Sequence, residues 1–202
     1  MMSSNVAAVL LAAGAGSRFA GTEHKLLAKL PETGVEPPAT VIERSLAHVL
    51  AAGIGPVVLV TGALSDIVPA SFDQLPDDRL LVRHNDRWAE GQITSVRAGI
   101  ATANELGCDG VVVGLADQPF ITPEAWRAVA DTDGPIVVAT YDGRRANPVA
   151  LDASVWGLLP DEGDEGARAL MRVRPDLVRE VPCTGSPADI DTEEDLRRWQ
   201  NS

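Results

Sequence analysis

Near the start of the chain, Gly14, Gly16, Arg18, Gly21 and Lys25 follow directly on an apolar run, Val6 to Leu11. Glycines let backbone N–H groups close on an anion, and fixed cations complete its neutralisation. This is therefore the composition of a phosphate-binding loop. Two carboxylates stand out elsewhere. Asp117 leaves a second apolar run, Gly110 to Ala116, just ahead of Gln118-Pro119. Asp191 sits in Asp189-Ile190-Asp191-Thr192-Glu193-Glu194-Asp195. Beside phosphates, a carboxylate's natural task is to hold Mg²⁺, a hard cation that takes one or two carboxylates together with phosphate oxygens and water. Each also has a plainer use: Asp117 as a turn residue before Pro119, and Asp191 with Thr192 as the cap of a last helix. One residue can serve both ends.

The loop fits neither standard phosphate motif. A dinucleotide loop, G-x-G-x-x-G, needs glycine where Phe19 stands, and a Walker A loop needs lysine where Thr22 follows Gly21. What remains is Ala12-Ala13-Gly14-x-Gly16-x-Arg18, with Lys25 following. It resembles the signature loop of the MobA-like nucleotidyltransferases, most closely the branch that makes the cytidylylated molybdenum cofactor. Four further stretches carry the resemblance. Asp117-Gln118-Pro119 is similar to the family's G-D-x-P, with Ala116 in place of the glycine. Asp189 to Leu196 resembles its D-x-D-T-x-E-D-L ending. Asn85-x-x-Trp88-x-x-Gly91-x-x-x-Ser95 and Gly163-Asp164-x-Gly166-Ala167-Arg168 resemble elements of the cytidylyltransferase branch. Where that branch has G-H-P, this chain has Ala146-Asn147-Pro148, a departure in the part expected to meet the acceptor.

The resemblance implies a three-layer, Rossmann-like α/β fold with a mostly parallel sheet, and a reaction. A nucleoside monophosphate passes from a nucleoside triphosphate, with CTP favoured, to a phosphorylated small-molecule acceptor such as molybdopterin, and pyrophosphate leaves. Arg18 and Lys25 would neutralise the β- and γ-phosphates, within a nucleotide-binding set of Leu11, Ala12, Ala13, Gly14, Ala15, Gly16, Ser17, Arg18 and Lys25. Arg18, Lys25 and Asp117 form the catalytic set, and Asp117 and Asp191 would hold Mg²⁺. Asn85, Trp88, Gly91, Ser95, Asn147, Asp164 and Arg168 would face the acceptor. The plain alternatives stay open at this point: Trp88 as a packing residue, Ser95 as a helix hydroxyl, and Glu165–Arg168 as an i,i+3 ion pair.

The elements that must position these residues can be read from periodicity. After an exposed loop, Leu30 to Thr40, helical spacing runs from Val41 to Leu50 and stops at Gly53. Pro56 to Val60 and Leu80 to Arg83 read as strands, with a short helix or turn, Ala63 to Phe72, between them. Ile93, Val96, Ile100 and Ala103 mark a helix ended by Gly107. Gly110 to Ala116 is a buried strand. Pro123 to Ala130 is a helix capped by Thr122. Pro135 to Thr140 and Asn147 to Leu151 are extended, joined by a basic turn Gly143-Arg144-Arg145. Ala153 to Leu159 and Glu165 to Val173 read as helices, Val178 to Val181 as a strand, and Thr192 to Gln200 as a closing helix. Strands alternating with helices imply a mostly parallel sheet covered on both faces, with ligands outside the carboxyl ends of the strands. The Gly14-to-Lys25 loop and Asp117 both lie at such ends.

Composition narrows the function classes. The chain's 202 residues are expected to form one domain, residues 1–202. A net charge of −12 repels a phosphate backbone, so polymeric nucleic acid is excluded as the expected partner, while a small nucleotide needs only local cations. No apolar run reaches the ~20 residues of a membrane span, and the N-terminus lacks a basic leader, so a cytoplasmic protein is expected. Cys108 and Cys183 form no metal-type spacing, and His24, His48 and His84 show no metal or triad pattern. Three other functions remain compatible with the sequence. They are a guanylyl- or other nucleotidyltransferase acting on phospholactate or a sugar phosphate, a non-catalytic nucleotide-binding protein, and a dinucleotide-dependent oxidoreductase. The broken G-x-G-x-x-G argues against the last.

Overall fold

In a computed structural model, which describes residues 5–17, 19, 24–30, 38–64 and 78–200, the apolar runs assemble into one seven-stranded sheet. The strands are β1 (Val6–Ala12), β2 (Val57–Thr61), β3 (Leu80–His84), β4 (Gly110–Leu115), β5 (Ile136–Tyr141), β6 (Arg144–Asp152) and β7 (Val178–Pro182). Their order is β3-β2-β1-β4-β6-β5-β7. Only β6 runs antiparallel to its neighbours. Every residue of β1 is buried. Ala7, Val9 and Leu11 enter one apolar cluster, and Ala8, Leu10 and Ala12 enter the other. A strand covered on both faces has no solvent side to keep polar, which is why it reads as an unbroken apolar run.

Among the described residues the helices are α1 (Val41–Ala52), α2 (Gln92–Glu105), α3 (Pro123–Ala130), α4 (Ala153–Trp156), α5 (Arg168–Val173) and α6 (Glu193–Gln200). Helices α1 and α3 cover one face through Ile42, Leu46, Val49, Trp126 and Val129. Helices α2, α4 and α5 cover the other through Ile93, Val96, Ile100, Val155 and Leu170. This is the expected three-layer α/β arrangement. Local chemistry sets the helix ends. The Glu43 N–H donates to Thr40 Oγ1 (3.3 Å) while the Thr40 N–H donates to Glu43 Oε2 (2.7 Å), a reciprocal cap, and Gly53 closes α1 at φ 67°.

The topology makes the site. From β1 the chain builds outward through β2 to β3, then returns to place β4 on the other side of β1. Connections therefore leave the adjacent carboxyl ends of β1 and β4 in opposite directions and open a crevice there. A second opening lies beside it. The β4–β6 pairing stops at Val113–Val149, and the β5–β6 register shifts between Val138 and Ala139. Asn147 and Pro148 stand at this irregularity, and proline has no N–H to give a ladder. Toward its carboxyl end β4 keeps only β1 as partner, and a gap separates it from β6.

Several boundaries differ from expectation. The turn before β6 is Asp142-Gly143, with φ 50° and 76°, so Arg144 and Arg145 belong to the strand. Helix α4 ends at Trp156, and α5 begins at Arg168 rather than Glu165, because Gly166 at φ 55° cannot continue a right-handed helix. Ala63 and Leu64 lie in a turn, and the rest of the expected short helix or turn to Phe72, with most of the Leu30-to-Thr40 loop, lies outside the described residues.

Candidate active site

The glycine-rich loop leaves β1 at Ala13, and the residues beneath it fix a lysine. Gly16 has φ 61°, and a Cβ there would come closer than 3.0 Å to the His24 ring. The ring is thus the floor of the loop. His24 Nδ1 accepts the Leu26 N–H (3.2 Å), capping a single 3₁₀ turn, Lys25–Leu27, whose Leu26 is buried. Burial holds the His24 pKa below its ordinary value, which keeps the ring neutral and Nδ1 an acceptor. From this anchored turn the Lys25 Nζ donates to Asp117 Oδ2 (2.6 Å) and to Asp191 Oδ1 (2.7 Å). Burial alone would lower the lysine's pKa. Asp117, then Asp191, outweigh it, and the pKa is raised.

The two carboxylates come from distant segments that are tied together. The Ile190 N–H donates to the Asp117 carbonyl (2.8 Å), which seats Asp191 beside the exit of β4. The cap of α6 belongs to other residues. Asp195 Oδ2 accepts from the Thr192 N–H (2.9 Å) and Thr192 Oγ1 (2.8 Å), and Thr192 Oγ1 accepts the Asp195 N–H (3.2 Å). Asp191 adds its N–H to that cap (3.2 Å) and turns its carboxylate to Lys25.

Does the site suit a divalent cation? Asp117 Oδ1 is buried with no hydrogen-bond partner, an arrangement that is costly unless a cation or donor meets it. Two carboxylates and one ammonium also leave a net negative charge. Among the described residues no group of three or more His, Cys, Asp or Glu forms a protein cage. The donor set therefore fits Mg²⁺ or Mn²⁺ completed by phosphate oxygens and water rather than a Zn²⁺ centre.

Three adjoining cavities open along the crevice, and Leu11 lines all of them. The first, about 300 Å³, is bounded by Ala12, Gly14 to Ser17, Lys25, Asp117 and Asp191. The second, about 350 Å³, is bounded by Ala13 to Ala15, Trp88, Gly91, Gln92, Ser95, Asp117 and Asp164. The third, about 280 Å³, has an apolar floor of Val96, Val113, Leu115, Val149 and Met171. Its rim is Gln92, Arg145, Asn147, Glu165, Arg168 and Arg172.

The expected site residues therefore divide. Trp88, Gly91, Ser95 and Asp164 meet in the second cavity, beside the loop, and Asn147 and Arg168 line the third. The link between these groups is the segment after Gly163. Its carbonyl accepts the Ile93 N–H (3.1 Å) at the start of α2, and a Cβ on Gly91 would lie 2.5 Å from it. Asn85 lines none of the three cavities. It is buried, and its amide donates to Thr94 Oγ1 and Ser95 Oγ (2.9 Å each) while its Oδ1 accepts the Arg87 N–H (3.0 Å). It braces the start of α2. Glu165 pairs with Arg172 (2.5 Å) rather than with Arg168. Arg18 lies outside the described residues.

Sequence reasoning missed one residue that ties the site together. Gln118 is buried, and its Nε2 donates to Asp189 Oδ1 (2.6 Å) and the Pro187 carbonyl (3.0 Å). Its Oε1 accepts from Asn147 Nδ2 (2.9 Å). One amide thus joins the third cavity to the carboxylate cluster, where burial, and then the charge of Asp117, push the Asp189 pKa up. Its place next to Asp117 was the only available signal. Gln92, Arg145, Met171 and Arg172 were missed for another reason: they come from three different elements, α2, β6 and α5, and no spacing links those elements.

A glycine-rich loop at the switch point of a Rossmann-like sheet, with a lysine and two carboxylates converging beneath it, is the architecture of a nucleotidyltransferase. The chain belongs to the MobA-like NTP transferase family, whose domain model matches residues 8–180. It is 34% identical over 206 residues to the nicotine blue oxidoreductase of Paenarthrobacter nicotinovorans, covering 96% of this chain and 95% of that protein. Among solved structures it is similar to a nucleotidyl transferase from Methanothermobacter thermautotroptrophicus (Mth528), at TM-score 0.79 and 25% identity over 97% of this chain and 96% of the other. It is also similar to the manganese complex of Rv0371c from Mycobacterium tuberculosis H37Rv, at TM-score 0.76 and 27% identity over 98% and 99%.

Proposed function

We propose that this protein is a single-domain, cytoplasmic, Mg²⁺-dependent cytidylyltransferase that moves CMP from CTP onto a phosphorylated small-molecule acceptor, with molybdopterin favoured. The observation that carries the reading is the convergence of Lys25, Asp117 and Asp191 under the Gly14-to-Ser17 loop. Among the described residues no helix is long and apolar enough to cross a membrane.

The roles follow from charge placement. The backbone N–H groups of Ala15 to Ser17 cradle the phosphates, and Arg18 and Lys25 neutralise the β- and γ-phosphates. The first cavity takes the triphosphate, with Leu11 to Ser17 forming the nucleotide-binding wall. Asp117 and Asp191 hold the divalent cation. When bound, Mg²⁺ supplies charge neutralisation for the phosphates and the departing pyrophosphate. An oxygen of the acceptor phosphate attacks the α-phosphorus, its bond forms as the bond to the β-phosphate oxygen breaks, and pyrophosphate departs. No protein nucleophile takes part; positioning and charge stabilisation supply the rate. Trp88, Gly91, Ser95 and Asp164 face the junction of nucleotide and acceptor, braced by Asn85. Asn147 and Arg168 bind the acceptor in the third cavity, whose apolar floor and basic rim suit a planar anionic molecule.

The test is pyrophosphate release from CTP, GTP, ATP and UTP with Mg²⁺, with and without molybdopterin. Release from CTP only when molybdopterin is present is the expected result. Release from another nucleotide would move the base assignment, and tight CTP binding without release would remove the acceptor. A second reading is favoured by the 34% identity to a protein named an oxidoreductase. It requires oxidation of NADH or NADPH by an added acceptor, and lack of binding of either dinucleotide dismisses it.

A further inference from the structure

We propose that Lys25 is a displaceable occupant of the divalent-cation site, so that nucleotide and metal bind together and neither is held well alone. The inference rests on reading Asp117 and Asp191 as the metal pair. The Lys25 ammonium lies between them, 2.6 Å from one carboxylate and 2.7 Å from the other. All three side chains are largely withdrawn from solvent, at 11%, 18% and 23% exposure. A divalent ion held by Asp117 and Asp191 would lie close to Nζ, and the two cations would repel each other. Moving the ammonium away would free both carboxylates for the ion.

The fold gives it somewhere to go. The backbone of Lys25 is pinned by the His24 cap and by buried Leu26, but four methylenes separate that anchor from Nζ. Lysine is a compact charge on a flexible stem. The same cavity is lined by Gly14 to Ser17, so phosphates on the loop and the carboxylate pair both lie within its compass. Without a nucleotide, the ammonium keeps two close carboxylates from repelling each other. Once phosphates occupy the loop, they offer Nζ an anionic partner of comparable strength. The carboxylates are then released to the metal. Linkage makes the effect reciprocal: the factor by which nucleotide raises metal affinity equals the factor by which metal raises nucleotide affinity.

The experiment is a Mn²⁺ titration followed by electron paramagnetic resonance, without nucleotide. It uses the wild type, Lys25→Met, Lys25→Arg, Asp117→Asn and the double variant Lys25→Met/Asp117→Asn, and the wild type and Asp117→Asn are titrated again with CTP. Removing a cation held by two charge-assisted hydrogen bonds should tighten Mn²⁺ binding in Lys25→Met by about ten- to a hundredfold. Lys25→Arg should gain nothing, and the double variant should lose the gain. In the wild type, CTP should raise Mn²⁺ affinity. A Lys25→Met protein that binds Mn²⁺ no better than wild type overturns the proposal. In that case, if Asp117→Asn alone still abolishes Mn²⁺ binding to the CTP-bound protein, the metal pair survives and only displacement falls. If Mn²⁺ binding ignores Asp117, the metal reading falls with it. Lys25→Met also leaves two close carboxylates unneutralised, so melting is measured with and without Mn²⁺. A larger rise in melting temperature than in wild type supports the proposal, and an equal or smaller rise counts against it.

Discussion

Gly16→Ala tests whether the loop over His24 is the nucleotide's cradle, and its size can be worked out in advance. Gly16 sits at φ 61°, where an alanine costs about 1–2 kcal/mol. Its methyl would also press on the His24 ring, closer than 3.0 Å. That ring caps the turn carrying Lys25 through the Leu26 N–H, and a lost cap costs ~1 kcal/mol. The sum is about 2–3 kcal/mol. If the altered loop keeps its shape, the loss appears as stability. If it relaxes and must be re-formed around phosphate, it appears as a roughly 30- to 150-fold weaker nucleotide Kd. Calorimetric titration with CTP and urea unfolding of the same protein together recover the whole. A His24→Ala background removes the clash and leaves the backbone strain, so a double-mutant cycle should give a coupling of about 1 kcal/mol. Unchanged Kd and unchanged stability in Gly16→Ala would refute the reasoning.

Four further outcomes are expected. Lys25→Ala should lower turnover about a hundredfold in the pyrophosphate assay, the scale of losing one charge-stabilising group, and near-wild-type turnover would remove its assigned role. Trp126 is 2% exposed between α3 and the sheet, so Trp126→Ala should cost about 3–5 kcal/mol by urea unfolding. Asn85→Ala strips the brace on Thr94 and Ser95 and should cost about 1–3 kcal/mol. A larger effect on KM for nucleotide than on melting would show that the brace serves the second cavity directly. His48 donates from Nδ1 to the Ile121 carbonyl (2.9 Å), and burial lowers its pKa from 6.5. The unfolded chain therefore takes up its proton first as pH falls. The stabilisation is complete above pH 6.5 and is lost as pH drops from there toward the lowered native value. Urea unfolding on either side of pH 6.5 should show a smaller acid loss for His48→Gln than for wild type.

The sequence by itself determined what short-range physics controls. Strands buried on both faces must be apolar throughout, so β1, β2, β4 and β5 announced themselves. Glycine, threonine and proline marked the helix ends because each acts within one turn of backbone. The phosphate loop was legible for the same reason, since its glycines, Arg18 and Lys25 form one local stretch. Asp117 and Asp191 could be nominated one at a time. Whether they meet depends on a β4 exit and a late loop joined by the Ile190–Asp117 backbone bond, a contact between residues far apart in sequence. Only the tertiary structure decided that Lys25 stands between them. It also decided that Gln118 joins Asn147 to Asp189, and that the seven acceptor candidates divide between two cavities and a buried brace. It placed His48 partly within the fold. Each of these is a matter of side-chain packing between non-adjacent elements. A linear pattern carries no distance between such elements, and the sheet order supplies it.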